Sequence, residues 1–274
     1  MMSQSITGKS SLCLIIGDPV SHSLSPAMHN AAYAALNLPF VMAAARVEAS
    51  SLREALHGMR ALNIRGLAVT MPHKVAILEF LDSVDQTAQT IGAVNTVILT
   101  DGKLTGYNTD WLGILRPLER ITSLAQKKVA ILGAGGAAKA AIYAALRGGA
   151  SVTVFNRTLS TAEDLASTFA CSARSLEDTD DVARNEIIIN TTSLGMIGNE
   201  STSPLPQGTV QPHHIVFETI YSPASTTLLK DAQLVGSKII RGSEMFLEQG
   251  AAQFELHTGV KAPREVMSQI ISAS

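Results

Sequence analysis

Charge is scarce in this sequence and evenly balanced. Only 16% of its 274 residues are Asp, Glu, Lys or Arg, and 21 basic against 23 acidic side chains give a formal net charge of -2. That excludes the broad positive field needed to bind nucleic acid or an anionic membrane surface, and it points to a small-molecule partner. Long apolar runs are missing too. Stretches such as residues 12–16 fall far short of the roughly 20 residues that span a bilayer, and no signal-peptide core opens the sequence, so no membrane role and a cytoplasmic location are expected. Cysteine is limited to Cys13 and Cys171, which have no metal-ligand spacing and no framework of partners. Both are read as free thiols without a role, and no metal is expected. There is no internal repeat or low-complexity segment.

What is present is an alternation of strand and helix patterns over a length that suits two domains better than one. Apolar runs at residues 12–16, 67–70 and 93–98 alternate with helical patterns, which argues for βαβ units around a mostly parallel sheet. After Ser51, the residues Leu52, Ala55, Leu56 and Met59 recur at helical spacing. Asp101-Gly102, between two β-rich runs, signals a tight hairpin and hence an antiparallel element. From Lys127 the pattern restarts: an apolar run, a glycine cluster, an alanine-rich helix stopped by Gly148-Gly149, and the strand SVTVF. A helix with a capping box at Ser160 and Glu163 follows, then the strands EIIIN and HIVFE. The last residues read as two helices, 243–257 and 263–270, too short to form a core alone.

The glycine cluster carries the first chemical signal. GAGGAAKA fits G-x-G-x-x-A between a strand and a helix: Gly133 permits the tight turn, Gly135 lets a pyrophosphate approach the backbone, and Ala138 lets helix and strand lie close. The helix N-terminus then offers unpaired N–H groups to phosphates. NAD-binding versions need a carboxylate at the end of the second strand. Here that strand ends in FNRT, where Arg157, helped by Asn156 and Thr158, can pair with a 2′-phosphate, so NADP is the cofactor expected.

The first half carries a second constellation. GDPVSHSLSPAMHN places Ser23 and Ser25 just after a strand, with Ser25-Pro26 reading as an N-cap followed by a first-turn proline. VTMPHK puts Thr70 at a strand end and Lys74 in a first helical turn, where a cation opposes the dipole. GAVNT sets Asn95 within an apolar strand pattern, where its amide must find partners. NTDWLG sets Asp110 as N-cap or first-turn residue. In adjacent βα units all six would lie at or just beyond C-terminal strand ends, the edge where α/β folds bind ligands. Hydroxyls, an amide, an ammonium and a carboxylate suit a polyhydroxylated small acid. His22, His29 and His73 lie nearby without metal spacing and are read as structural.

These segments, with NRT, NTTSLGM, IYSP and GSEMFLEQGAAQF, resemble the shikimate dehydrogenase family in order and over nearly the whole chain. The resemblance implies NADPH-dependent reduction of 3-dehydroshikimate to shikimate, in the pathway to chorismate and the aromatic amino acids. It implies two α/β domains with a cleft between them: a substrate domain of residues 1–110 and 243–274, completed by the C-terminal helices, and a Rossmann-like NADP domain of residues 111–242. By the resemblance, Ser23 and Ser25 bind the substrate carboxylate, and Thr70, Asn95, Asp110, Tyr221 and Gln249 also contact substrate. Lys74 and Asp110 form the catalytic pair. The cofactor falls to Gly133, Ala134, Gly135, Gly136 and Ala137, to Asn156, Arg157 and Thr158, and to Thr191, Thr192, Thr219 and Gly242. Gly242 is also a hinge candidate.

An ammonium aimed at the oxygen of a ketone receiving hydride stabilises the developing charge and can donate a proton. A carboxylate partner raises a lysine's pKa, which leaves open whether Lys74 transfers the proton or acts by electrostatics and positioning. Glu218 stands where the family usually has aspartate, Thr219 where a larger apolar residue is frequent, and His257 where tryptophan is frequent. The rival enzyme is a quinate or dual quinate/shikimate dehydrogenase, against which Ser25 and NRT argue. A binding protein that has lost catalysis would be expected to lack Lys74 or Asp110, and both are present. Covalent catalysis through Ser23 or Cys171 lacks a histidine-based partner. Monomer and homodimer both remain open.

Overall fold

Residues SLCLIIG form the first strand, β1 (Ser11–Gly17), in the computed structural model, which describes residues 6–273. The chain continues through α1 (Ser25–Ala35), β2 (Phe40–Arg46), α2 (Leu52–Ala61), β3 (Gly66–Val69), α3 (His73–Ala76), β4 (Ser83–Val84), α4 (Gln86–Ile91), β5 (Thr96–Thr100) and β6 (Lys103–Tyr107). The strand order is β2-β1-β3-β5-β6-β4. β1 pairs in parallel with β2 and β3, whereas β5 runs antiparallel to β3 and β6. The hairpin joining β5 to β6 turns on Asp101 and Gly102, both at positive φ, as a two-residue turn of this type requires.

On one side of this sheet the helical stripe of α2 buries Leu52, Leu56 and Met59 against Leu67, Val69, Val97 and Leu99. Tyr33 of α1 is fully buried and stacks on Phe254, 5.2 Å between ring centroids. The C-terminal helices thus find the support they cannot make themselves. His257 lies against Gly66, where an added Cβ would come within 2.5 Å of the imidazole.

The second unit begins with α5 (Asp110–Ile121) and runs β7 (Lys128–Leu132), α6 (Gly136–Arg147), β8 (Ser151–Asn156), α7 (Leu159–Phe169), β9 (Ser172–Ser175), α8 (Thr179–Ala183), β10 (Ile187–Asn190), β11 (Ile215–Glu218), α9 (Thr227–Leu234) and β12 (Lys238–Ile240). All of its strand pairs are parallel, in the order β12-β11-β10-β7-β8-β9. Read from the other edge, this is the doubly wound order of dinucleotide-binding sheets. Its central strands are buried on both faces, which explains their continuous apolar sequences. The alanines of α6, among them Ala138, Ala141 and Ala145, are fully buried, and their small size lets the helix lie close to the sheet.

The chain passes between units twice. One unit takes the chain to Thr109 and resumes at Gln249, and the other spans Asp110–Glu248. The second passage lies inside α10 (Gly242–Thr258), after which α11 (Arg264–Ser272) ends the fold. Among the described residues no helix is long and apolar enough to cross a membrane.

Three local expectations need correction. Ser25 is the first residue of α1 rather than its cap, because the Ser23 hydroxyl already accepts the Ser25 N–H at 3.2 Å. The capping box at Ser160 and Glu163 does not form. Asn156 donates to the Thr158 carbonyl at 2.9 Å, and this turn starts α7 at Leu159, leaving Ser160 inside the helix. Asn95 precedes β5 instead of lying within a strand, since regular pairing with β3 begins at Thr96.

Candidate functional site

Gly17 closes β1, and a side chain there would run into Thr70 and the Met71 carbonyl. The Thr70 N–H donates to the Ile16 carbonyl at 3.0 Å, so the ends of β1 and β3 are locked together and the Thr70 side chain occupies the space that glycine leaves. The part Gly17 plays was not anticipated; its position at a strand end just before the DPV turn was the available signal. Beyond β3, Lys74 lies in the short helix α3, half-buried, and its carbonyl accepts the Val94 N–H at 2.8 Å. This bond ties the lysine's backbone to the segment that delivers Asn95.

Asn95, 1% exposed, uses both its amide and its backbone carbonyl in hydrogen bonds. Its Oδ1 accepts the Thr109 N–H at 2.7 Å and the Thr96 hydroxyl at 2.9 Å. Its Nδ2 donates to the Thr109 hydroxyl at 2.9 Å and to Gln249 Oε1 at 3.5 Å, while its carbonyl accepts from Gln253 Nε2 at 3.0 Å. The two acceptances at Oδ1 fix the amide's orientation. Asn95 reaches the same sheet edge as Thr70 by the start of its strand, because β5 is antiparallel to β3. Thr109 and Gln253 were not anticipated, since their link to Asn95 depends on that pairing.

Ser23 lies half-buried beside buried Ser25, whose carbonyl accepts from His29 Nδ1 at 3.0 Å. His73 Nε2 donates to the Val47 carbonyl at 2.7 Å, and His22 is exposed. Burial holds His29 near pKa 4 and His257 near 3, so both rings are neutral. No acidic residue occupies the first turn of α1, leaving its positive end uncompensated there.

In the second unit, Asp110 is the first residue of α5 and 3% exposed. Gly133 has φ +103°, and a Cβ on it would stand 3.0 Å from the Thr191 hydroxyl. A Cβ on Gly135 would meet nothing, so the turn is open where a phosphate would approach, directly before Gly136 begins α6. With Ala134 and Ala137, these residues form a cradle of backbone and small side chains that fits a pyrophosphate. Arg157 is exposed just past β8, beside Asn156 and Thr158.

The threonines are held by the protein itself. Thr191 donates to the Leu132 carbonyl at 2.6 Å, Thr192 to Asn190 Oδ1 at 2.7 Å, and Thr219 to the Asn190 carbonyl at 2.8 Å. Tyr221 stacks on Phe246 with centroids 4.5 Å apart. Gly242 begins α10 against the Ile220 carbonyl, where any side chain would collide with backbone. Glu248 is buried and ion-paired to Arg116, at 3.2 Å, and to Arg120, which ties α10 to α5. Glu218 is buried as well, and desolvation pushes its carboxyl above the usual range against four lowering hydrogen bonds.

Residues 15–97 match the family described as Shikimate dehydrogenase substrate binding domain. Residues 117–208 match Shikimate / quinate 5-dehydrogenase, and residues 242–271 the Shikimate 5'-dehydrogenase C-terminal domain. A curated relative from Carboxydothermus hydrogenoformans, named Shikimate dehydrogenase (NADP(+)), is 41% identical over 277 residues, covering 98% of this chain and 99% of its own. A solved shikimate dehydrogenase in complex with NADP+ is 37% identical, with a TM-score of 0.95, 100% of this chain and 98% of that one covered. The Thermus thermophilus shikimate 5-dehydrogenase in complex with NADP(H) and shikimate is 35% identical, with a TM-score of 0.89 over 96% and 99% of the two chains. Matched in all three segments and along almost its entire length, the chain belongs to the shikimate dehydrogenase family.

Proposed function

We propose that this protein catalyses the reversible reduction of 3-dehydroshikimate to shikimate with NADPH. The observation that carries the reading is the gathering of Ser23, Ser25, Thr70, Lys74, Asn95 and Gln249 in one unit, with the open G-x-G-x-x-A turn in the other. In this reading the unit ending at Thr109 and resuming at Gln249 holds the substrate, and Asp110–Glu248 holds the cofactor. Bound at Gly133–Ala137 and Arg157, NADPH supplies the hydride.

The chain's own residues bind and orient the substrate and manage the proton. The Ser23 and Ser25 hydroxyls receive the substrate carboxylate at the positive end of α1, without a formal cation. The Ser23 oxygen already accepts the Ser25 N–H, so its own hydrogen is left to donate outward. Thr70, the Asn95 amide and Gln249 read ring hydroxyls, the Asn95 contact with Gln249 at 3.5 Å being the one long enough to exchange for a ligand. The Lys74 ammonium stabilises the negative charge that develops on the ketone oxygen. It then releases a proton to that oxygen, an N–H bond breaking as the O–H bond forms. The family resemblance gives Asp110 as the catalytic partner of the lysine and Tyr221 as a further substrate contact.

Initial rates of shikimate and quinate oxidation, each with NADP+ and NAD+, test the reading alongside a Lys74→Ala control. Turnover confined largely to shikimate with NADP+ and lost in the control is expected. Comparable quinate turnover, or preference for NAD+, would overturn the assignments of Ser25 and Arg157.

A further inference from the structure

Glu218, the last residue of β11, is a fully buried carboxylate to which the reaction assigns no part. Its Oε1 accepts from Asn190 Nδ2 at 3.0 Å and from the Ile220 N–H at 3.1 Å. Its Oε2 accepts from Asn190 Nδ2 at 3.1 Å and from the Thr226 hydroxyl at 2.8 Å. Asn190 in turn ends β10 and is itself fully buried. Its Oδ1 accepts the N–H of Thr192 at 3.0 Å and the hydroxyl of Thr192, while its carbonyl accepts the N–H of Thr219 at 3.2 Å and the hydroxyl of Thr219. Thr191 and Thr192 pack against Gly133, and Thr191 bonds the Leu132 carbonyl next to it. One carboxylate therefore stands behind three turns at the C-terminal edge of the parallel sheet, the edge at which such sheets bind ligands.

We propose that Glu218 is a positioning residue for the cofactor: by fixing Asn190 it holds the Thr191–Thr192 and Thr219–Ile220 turns in the arrangement that receives the dinucleotide. The proposal rests on the assignment of these turns to NADP. The polarity of the network makes it specific to a carboxylate. The Asn190 amide cannot turn over, because its oxygen already takes two donors from Thr192. Its NH2 group therefore always faces Glu218, as does the Ile220 N–H, and only an acceptor on both oxygens satisfies them. A glutamine would present an NH2 group to one of these donors in either orientation, and relieving the clash would release Asn190 and, through it, Thr192. Thr226 is the arm leading away from the cofactor edge: it caps α9 by accepting the Leu229 N–H.

Calorimetric titration of the full-length protein with NADP+ tests the inference. Glu218→Gln is expected to weaken NADP+ binding roughly tenfold or more, with KM for shikimate within about twofold of wild type. Thr226→Val, which cuts only the arm to α9, is expected to lower Tm while leaving the NADP+ Kd within about twofold, and Glu218→Asp to keep most of the affinity. An unchanged Kd in Glu218→Gln, or a loss of affinity in Thr226→Val that tracks its loss of Tm, would overturn the proposal. A measurement on the wild-type protein covers the case in which Glu218→Gln does not fold. Without nucleotide, the backbone amide of Thr192, whose bond is to the Asn190 side chain, should exchange slowly with solvent; rapid exchange overturns the inference. Failure of the wild-type protein to bind NADP+ at all would overturn the cofactor assignment itself, a result distinct from binding that Glu218→Gln leaves unaltered.

Discussion

Both units are α/β, and the proposed function puts ligand-binding residues at one edge of each sheet, yet the two edges are built from different materials. In the unit carrying Lys74 the sheet is mixed, and an antiparallel strand brings Asn95 to the edge by its starting end, so in the proposed function recognition is by side chains. In the unit carrying Gly133 the sheet is wholly parallel and the edge is a row of turns, so in the proposed function recognition falls to backbone N–H groups and to threonines held from behind. A polyhydroxylated ring needs groups placed one by one, whereas a pyrophosphate needs a concave run of amides. With the ligands of the proposed function, the difference in topology follows the difference in ligand.

The largest effect should come from Lys74→Ala, which removes a charge from the side-chain edge. A fall in kcat of about 10²–10⁴ is expected, with the calorimetric Kd for NADP+ unchanged. A parallel loss of NADP+ binding would break the comparison.

Acid should separate the units next. Burial holds His29 and His257, both in the first unit, at pKa values of about 4 and about 3, below the ordinary 6.5 of a histidine. Below pH 6.5 the unfolded chain therefore binds more protons than the folded one. The stability is whole above that pH and is lost as pH falls towards 4, by roughly 2 kcal/mol for each ring at pH 5. The single tryptophan, Trp111, belongs to the other unit and stacks edge-on with Tyr143. Urea melts at pH 7 and pH 5 should show circular dichroism losing stability faster than Trp111 fluorescence, and His257→Phe should narrow the gap. Coincident curves at both pH values would mean that the units unfold as one.

Gly133→Ala should give the mirror image of Lys74→Ala. With φ at +103° and the Thr191 hydroxyl 3.0 Å from the added Cβ, the turn is strained by about 1–3 kcal/mol. A raised KM for NADP+ beside an unaltered KM for shikimate is the expected kinetic result. Arg157→Ala is the mildest change: kcat/KM with NADP+ should fall roughly tenfold and that with NAD+ should stay level, as loss of a charged contact to a 2′-phosphate predicts. An equal fall with both cofactors would remove Arg157 from the discriminating role.

What could be read in the sequence was what depends on neighbours along the chain. The Asp101-Gly102 turn and the Gly133 turn each need a backbone shape that few residues adopt, and both stand where the sequence placed them. The alanine-rich face of α6 was visible for the same reason. What depends on partners distant in sequence was hidden. Asn95 seemed to lie in a strand because the apolar run 93–98 continues across it, and only the pairing of β5 with β3 shows where the strand begins. Glu218 stood out as a departure from the family pattern, but its ties to Asn190 and Thr226 come from strand order and a helix cap. The caps assigned to Ser25 and Ser160 were displaced by hydrogen bonds in the preceding turns, which hydroxyl spacing alone does not reveal.

The amide of Asn95 bonds Thr109, where the first unit breaks off, and Gln249, where it takes up again. The second unit is thus an insertion whose entry and exit share one anchoring point, and the interrupted chain ends are already side by side. Excising residues 110–248 and joining the ends by a few flexible residues should leave a free-standing module with its sheet intact, one able to accept a foreign domain at the same socket.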